Sequence, residues 1–351
     1  MIHVVFMAGG KGTRFWPQSR EKLPKQFLKV DGDYTLIESS LKRIESIAPL
    51  AQRWLVGSYT HAHLFGSITE LLTKDHLILE STGRNTGPCM LLAACKIVQD
   101  DSDASIIFLP ADHHIANTDV LCDQLKTAAD YAHSTQKVVI IGIQPTHAFT
   151  GYGYIEVTDR NQTPFSVAAF KEKPDQKTAD HYFASGKYFW NSGIYVVHAA
   201  SFISLIQKCQ PEMYSIIKEY LTMAPDVQNS TEGVALYAQI KSLSIEHTAI
   251  EKNPQVLALY PSQFDWNDVG SWGSLEDIST PDSQGNIINA KQFISVDSNN
   301  NIIVSTSNRL ISLVDVHDMI VVDTDDAVLI MPKTSDQKVK EIVDRLPDQY
   351  R

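Results

Sequence analysis

Along residues 1–143, short apolar runs alternate with longer stretches whose apolar side chains recur every three or four positions. Residues 4–6, 53–56, 76–79, 105–109 and 137–143 read as strands. The stretch 35–47, with Leu36, Ile37, Leu41, Ile44 and Ile47 on one stripe, reads as a helix, and so do 61–73, 88–99 and 119–134. This alternation predicts a Rossmann-like α/β fold: a mixed, mostly parallel, doubly wound sheet with helices on both faces and ligands beyond the carboxyl ends of its strands.

The middle of the chain is less regular. Gly151-Tyr152-Gly153-Tyr154 enters a strand at 155–157, 167–170 supplies its partner, and Trp190-Asn191-Ser192-Gly193 leads a further buried strand. Helical spacing over 200–239 makes Leu205, Ile206, Met213, Ile216, Ile217 and Leu221 core candidates. From Asn286 the pattern changes to five β-rich runs, 292–296, 301–305, 310–314, 319–323 and 327–331, about ten residues apart and separated by Asp, Asn and Ser. By pattern alone these are either a stack of strands or an antiparallel meander, with a helix expected only at 336–346. Two domains follow, 1–282 and 283–351.

Composition narrows the function. With 351 residues, 43% of them apolar, the chain can bury a large core. Its net charge of −11 gives no support to nucleic acid or an anionic membrane as partner. Cys89, Cys95, Cys122 and Cys209 form no CxxC pair, so neither disulfides nor structural zinc are expected. The chain opens directly on its first strand and holds no run apolar enough to span a bilayer, which predicts a cytoplasmic protein.

The chemistry concentrates where the first strand stops. Gly9, Gly10 and Gly12 allow unusual backbone angles and present consecutive N–H groups to an anion, with Ala8 and Thr13 at the edges. The P-loop spacing is absent, and Phe15 stands where a dinucleotide fingerprint needs its third glycine. What distinguishes this loop is its cations, Lys11, Arg14, Arg20, Lys22 and Lys25, a set suited to a triphosphate. Asp112, at the end of a buried strand, has the placing of a magnesium ligand, whereas the adjacent His113 and His114 point apart and lack a matching cluster. Arg84, Asn85 and Thr86 combine donors and acceptors at a helix start, as reading a base edge requires, although Asn85 or Thr86 could equally cap that helix.

The run AGGKGTRFWPQSREKLPKQFL (residues 8–28) resembles the signature loop of nucleotidyltransferases that make nucleotide sugars, in particular the mannose-1-phosphate guanylyltransferase branch. ESTGRNTGP, FLPADH, FKEKPD, WNSGIYV and DWNDVGSW resemble that family's later blocks in the same order, so the resemblance spans nearly the whole chain. It implies transfer of GMP from GTP to α-mannose 1-phosphate by direct in-line attack with Mg²⁺. Arg14, Lys25 and Lys173 would be catalytic; Ala8, Gly9, Gly10, Gly12, Thr13, Arg84, Asn85 and Thr86 would bind the nucleotide; Gly153, Glu172, Lys173 and Asn191 would bind the sugar phosphate. Asp112 and Asp268 would hold the metal. It also implies that the C-terminal strands form a short left-handed β-helix joining a homodimer, and no isomerase-type extension is expected after them. Gly87 departs from the family pattern, where Ala is expected, as do Cys89 and Met90, where small residues are usual. Another sugar 1-phosphate, with GTP or with a different nucleotide, or a catalytically silent sugar-nucleotide-sensing subunit, are the alternatives. The presence of Arg14, Lys25, Asp112 and Asp268 counts against the second.

Overall fold

The computed structural model describes residues 1–10, 12–30 and 32–351. They gather into two compact units: Met1–Gly9, Leu41–Ala111 and Ile115–Trp266 form the first, and Gly10–Ser40, Asp112–His114 and Asn267–Arg351 the second.

The first unit is built on a nine-stranded sheet: β1 (Ile2–Ala8), β2 (Arg53–Ser58), β3 (Leu77–Glu80), β4 (Ser105–Pro110), β5 (Val138–Ile143), β6 (Tyr154–Val157), β7 (Phe165–Lys171), β8 (Tyr188–His198) and β9 (Leu257–Pro261). Their order is β3-β2-β1-β4-β8-β5-β9-β7-β6. β1 to β4 pair parallel, and β8 runs antiparallel between β4 and β5, so the sheet is mixed as expected. The continuous run Val4-Val5-Phe6 is explained by burial on both faces, where a strand gains from apolar residues at every position. Val5, Ile106, Phe108, Ile140 and Tyr195 pack with the helices Thr86–Ile97, Ala199–Cys209 and Pro211–Thr222. Helix Thr118–Thr135 packs on β4, β5 and β8.

One local expectation needs revision, and two further elements were not foreseen. The stretch expected as a helix at 61–73 is a set of 3₁₀ turns, Tyr59–Ile68, begun by Ser58 accepting from Thr60 N–H and interrupted in its spacing by Gly66. Helix Gln176–Ser185 has only Ala179 buried, so it shows no apolar stripe in sequence; Asp175 caps its start, and Gly186, at φ 64°, ends it. β9 is five residues long with Pro254 close before it, too short to stand out by periodicity, yet Leu257, Ala258 and Leu259 are core.

In the second unit, β10 (Ile287–Asn289), β12 (Ile302–Ser305) and β14 (Met319–Asp323) stack in parallel and β15 (Val328–Pro332) closes them antiparallel. β11 (Phe293–Val296) and β13 (Ile311–Val314) form a second parallel pair. The register puts Ile287, Ile302 and Ile320 in one row, and Asn301 bonds the turn above and below through Asn286 and Met319 N–H. The strands are therefore a β-helix-like stack and not a meander. Their inward face, with Ile302, Val304, Ile320 and Val322, shares one core with Phe15, Trp16, Leu28, Val30 and Leu36. The expected terminal helix is a 3₁₀ turn, Lys333–Lys338, followed by the short helix Val339–Val343.

Candidate active site

Within the second unit, the segment that follows β1 is held by its own backbone. Phe15 N–H and the Ser19 hydroxyl both donate to the Gly12 carbonyl, at 2.9 and 2.7 Å. Gly12 has φ 62°, and a Cβ there would stand 2.2 Å from Lys25 Cβ, so this glycine is required both by its conformation and by the close approach of Lys25. Trp272 Nε1 donates to the Trp16 carbonyl, and its ring lies 4.8 Å from that of Phe15. Arg20, expected among the anion-binding cations, instead donates to the Tyr350 carbonyl and pairs with Asp326. Lys11 lies outside the described residues.

Lys25 is the junction of this unit. Its ammonium is buried, 2.9 Å from Asp112 Oδ2, 2.6 Å from the Asp268 carbonyl oxygen and 5.7 Å from the centre of the Phe15 ring. Burial pushes the Asp112 carboxyl up, but the Lys25 ammonium, with His113 and a backbone N–H, outweighs it and holds the group below the usual carboxylate range. Arg14 Nη1 donates to the Gly270 carbonyl at 3.3 Å. Val269, between them, is fully buried at φ 48°, a strained conformation for a β-branched residue, supported by Asn267 Oδ1 accepting from its N–H. The structure thus brings Arg14, Lys25, Asp112 and Asp268 into one small region. The carboxylates of Asp112 and Asp268 are hard oxygen donors, the ligand type that Mg²⁺ takes.

In the first unit, the turn at Arg84, Asn85 and Thr86 makes contacts of its own. Asn85, at φ 73°, caps the helix Thr86–Ile97 by accepting from Thr86 N–H, Thr86 Oγ1 accepts from Ile245 N–H, and Arg84 Nη2 donates to the Ala238 carbonyl. The capping role weighed from sequence is therefore present, while Arg84 Nε is buried with no partner among the described residues. The departure at Gly87 has a packing reason: a Cβ there would lie 2.4 Å from Thr248 Oγ1. Glu80, just before this turn, is buried with Tyr237 OH donating to it at 2.7 Å; burial raises its pKa to about 7.

The residues expected at the sugar phosphate also converge. Asn191 N–H donates to the Gly153 carbonyl at 2.8 Å, and a Cβ on Gly153 would meet Glu172 Oε2 at 2.7 Å, so glycine leaves room for that carboxylate. Lys173, exposed and at φ 39°, pairs with Glu172. β8 is irregular where it carries Asn191: Gly142 pairs with Asn191 but Ile140 with Tyr195, and Ser192 Oγ fixes the bulge by bonding the Ile141 carbonyl. Asn191 Nδ2 donates to Tyr195 OH at 2.8 Å and to Glu246 Oε1 at 3.0 Å. Tyr195 and Glu246 escaped the sequence reading. Tyr195 lies within WNSGIYV, where Asn191 alone carried a role, while Glu246 sits in no distinctive motif and reaches Asn191 across 55 residues of chain.

Residues 3–285 match the family model described as nucleotidyl transferase, and residues 291–346 that of the MannoseP isomerase/GMP-like beta-helix domain. Similar proteins include the mannose-1-phosphate guanylyltransferase of Klebsiella pneumoniae, 32% identical over 100% of this chain and 75% of the relative. Mannose-1-phosphate guanylyltransferase RfbM of Salmonella typhimurium is 36% identical over 97% of this chain and 72% of the relative. The crystal structure of a mannose-1-phosphate geranyltransferase from Thermus thermophilus has a TM-score of 0.88 at 28% identity, covering 98% of each chain. A mannose-6-phosphate isomerase from Helicobacter pylori shares the fold, with a TM-score of 0.62 at 23% identity over 76% of this chain and 99% of its own.

Proposed function

This chain belongs to the nucleotidyl transferase family, and we propose that it transfers GMP from GTP to α-mannose 1-phosphate, releasing pyrophosphate and forming GDP-mannose. The choice of substrates is supported by the names of relatives aligned over essentially the full chain. The observation that carries the chemistry is the junction at Lys25, where one buried ammonium meets Asp112 and the backbone of Asp268 beside the glycine-rich loop.

A phosphate monoester is ionised at neutral pH, so its oxygen needs no general base to attack the α-phosphorus of the nucleotide. The obstacle is repulsion between two anions, and the protein's work is to place cations and N–H donors around the charge that gathers in the transition state. Arg14, Lys25 and the backbone of Gly9, Gly10, Gly12 and Thr13 take the triphosphate; Arg84, Asn85 and Thr86 face the base; Glu172 and Asn191 take sugar hydroxyls; Lys173, the exposed cation of that group, takes the sugar phosphate. Asp112 and Asp268 would hold Mg²⁺, which when bound supplies positive charge against the phosphates. The outward residues Ile294, Val296 and Val314, with Val296 and Val314 paired across β11 and β13, offer an apolar face for a second copy of the chain.

Pyrophosphate release from a panel of nucleoside triphosphates and sugar 1-phosphates tests the reaction. GTP with mannose 1-phosphate should exceed every other pair; a different preferred pair overturns the assignment of substrates. A chiral α-phosphorothioate nucleotide should give inversion at phosphorus, whereas retention would require a covalent nucleotidyl-enzyme.

A further inference from the structure

Residues 243–250 belong to no motif read from the sequence, yet they are tied to two groups of site residues in the first unit. Gly87 N–H donates to the Leu243 carbonyl and Ile245 N–H to Thr86 Oγ1, so the segment is bound to the turn that starts the helix Thr86–Ile97. Glu246–Ile250 then forms a single π-turn, with Glu251 N–H reaching back to the Glu246 carbonyl at 2.9 Å. Such widened turns are rare and frequently fall at functional sites. Glu246 is the first residue of this one.

The bonds around Glu246 leave one acceptor over. Its Oε1 receives two donors, Tyr195 OH at 2.5 Å and Asn191 Nδ2 at 3.0 Å. Both hydrogens of the Asn191 amide are consumed, since Nδ2 also donates to Tyr195 OH, and Asn191 Oδ1 already accepts from Gly193 N–H at 3.1 Å. Tyr195 is fully buried and locks the triangle from beneath. Glu246 Oε2 makes no hydrogen bond to the described residues, and no Lys, Arg or His among them forms an ion pair with this half-buried carboxylate. That oxygen is open to solvent, and a ligand that displaces water from it must bring a donor of its own. Neutral hydroxyl groups are the donors that suit it. Glu172 lies near enough for its charge, after burial and after Glu246, to oppose ionisation of Tyr195.

We propose that Glu246 is a sugar-recognition residue: its free Oε2 accepts a hydroxyl of the sugar 1-phosphate, at a position set by Asn191 and Tyr195. This rests on the reading of Glu172 and Asn191 as the sugar side of the site. It makes Glu246 the main hydroxyl acceptor in place of Asn191, whose Oδ1 already accepts from Gly193 N–H, and makes Tyr195 a positioning residue that acts through it.

Glu246→Gln tests this directly, because the amide oxygen can keep both existing bonds while the free acceptor becomes a donor. The expected result is a KM for mannose 1-phosphate raised on the order of tenfold or more, with the KM for GTP within about twofold. One singly deoxygenated mannose 1-phosphate should then cost the wild type about as much as the substitution does, yet cost the Gln variant little. Tyr195→Phe, which removes the hydroxyl's bonds to Glu246 and Asn191 but leaves the carboxylate in place, should show the same selective pattern at smaller size, and it serves alone if the Gln variant does not fold. Equal effects on GTP and sugar phosphate, or no deoxy analogue with a reduced penalty, would overturn the proposal. If the wild type prefers another sugar 1-phosphate, the substrate assignment fails, and the same comparison run on deoxy forms of that sugar still decides the role of Glu246.

Discussion

The two units differ in how they meet three partly or wholly buried carboxylates. In the second, Asp112 is matched by the Lys25 ammonium and held ionised. In the first, Glu80 and Glu246 are met by tyrosine hydroxyls, from Tyr237 and Tyr195, and burial of Glu80 raises its pKa to about 7. A cation beside a carboxylate prepares a place where charge is gathered and moved. A hydroxyl beside it makes a directional acceptor with little net attraction for anions, suited to shape and hydroxyl reading. On the proposed function, this difference would set the groups that hold the triphosphate apart from those that read the base and the sugar.

The comparison breaks most visibly at Lys25. Lys25→Met keeps the side-chain bulk and removes the charge, leaving Asp112 without its ion pair and the Asp268 carbonyl without its donor. Turnover should fall on the order of a hundredfold or more, as loss of a preorganised charge donor does. The sign of the pH effect follows from the lowered carboxyl: Asp112 contributes stability above its unfolded pKa of 3.8 that is lost as pH falls through the folded value. Without Lys25 that contribution is gone, so acid unfolding should begin at higher pH. An unchanged acid midpoint, followed by circular dichroism, would show that the pair does not organise this unit.

Replacing the carboxylates should have smaller and recoverable effects. Asp112→Asn and Asp268→Asn keep the shape but remove one charge each, and the Mg²⁺ concentration giving half-maximal activity should rise on the order of tenfold, with turnover restored in part at high Mg²⁺. A magnesium titration that superposes on the wild type in both variants would remove the metal from Asp112 and Asp268.

What was legible in the sequence was local chemistry. The glycines of 9–12, the polar turn at 84–86 and the blocks around Asp112, Glu172, Asn191 and Asp268 each declare themselves within a few residues, because a loop that meets a ligand needs special backbone and special side chains at once. The pairings between them did not. Lys25 reaches Asp268 across 243 residues and Tyr237 reaches Glu80 across 157, and nothing in either neighbourhood specifies the other. The strand runs at 292–331 were visible, but a run's spacing does not tell whether it pairs parallel with the rung after next, as β11 does with β13, or antiparallel with its neighbour. That the signature segment shares its core with those strands came from Phe15, Trp16 and Leu28 being apolar inside a polar motif, a signal readable only afterwards.

Glu80 sharpens the contrast by its opposite slope with pH. A carboxyl raised from 4.5 to about 7 favours the protonated form in the folded state, so its charging costs stability as pH rises through that window, on the order of 3 kcal/mol when complete. Glu80→Gln removes this titration while preserving the bond from Tyr237. Its melting temperature relative to the wild type should therefore be higher at pH 8 than at pH 5. The reverse order would mean that Glu80 is stabilised as an anion after all, and the first unit would then resemble the second.

The smallest effect should come from a carboxylate that has a cation but no burial. Asp326 pairs with Arg20 at 2.8 Å, yet it is half exposed; what burial it has raises its carboxyl, and Thr324 and Arg20 together bring it below the usual range. Water and salt screen such a pair, and exposed ion pairs typically contribute about 0–1 kcal/mol. Arg20 moreover keeps its bond to the Tyr350 carbonyl when Asp326 is changed, and its guanidinium stays over the Trp16 ring. Asp326→Asn should thus shift the unfolding free energy by less than about 1 kcal/mol and leave turnover within about twofold. If it instead cut turnover as Lys25→Met does, charge anywhere near the signature segment would matter, and burial of the Lys25 junction would lose its special role.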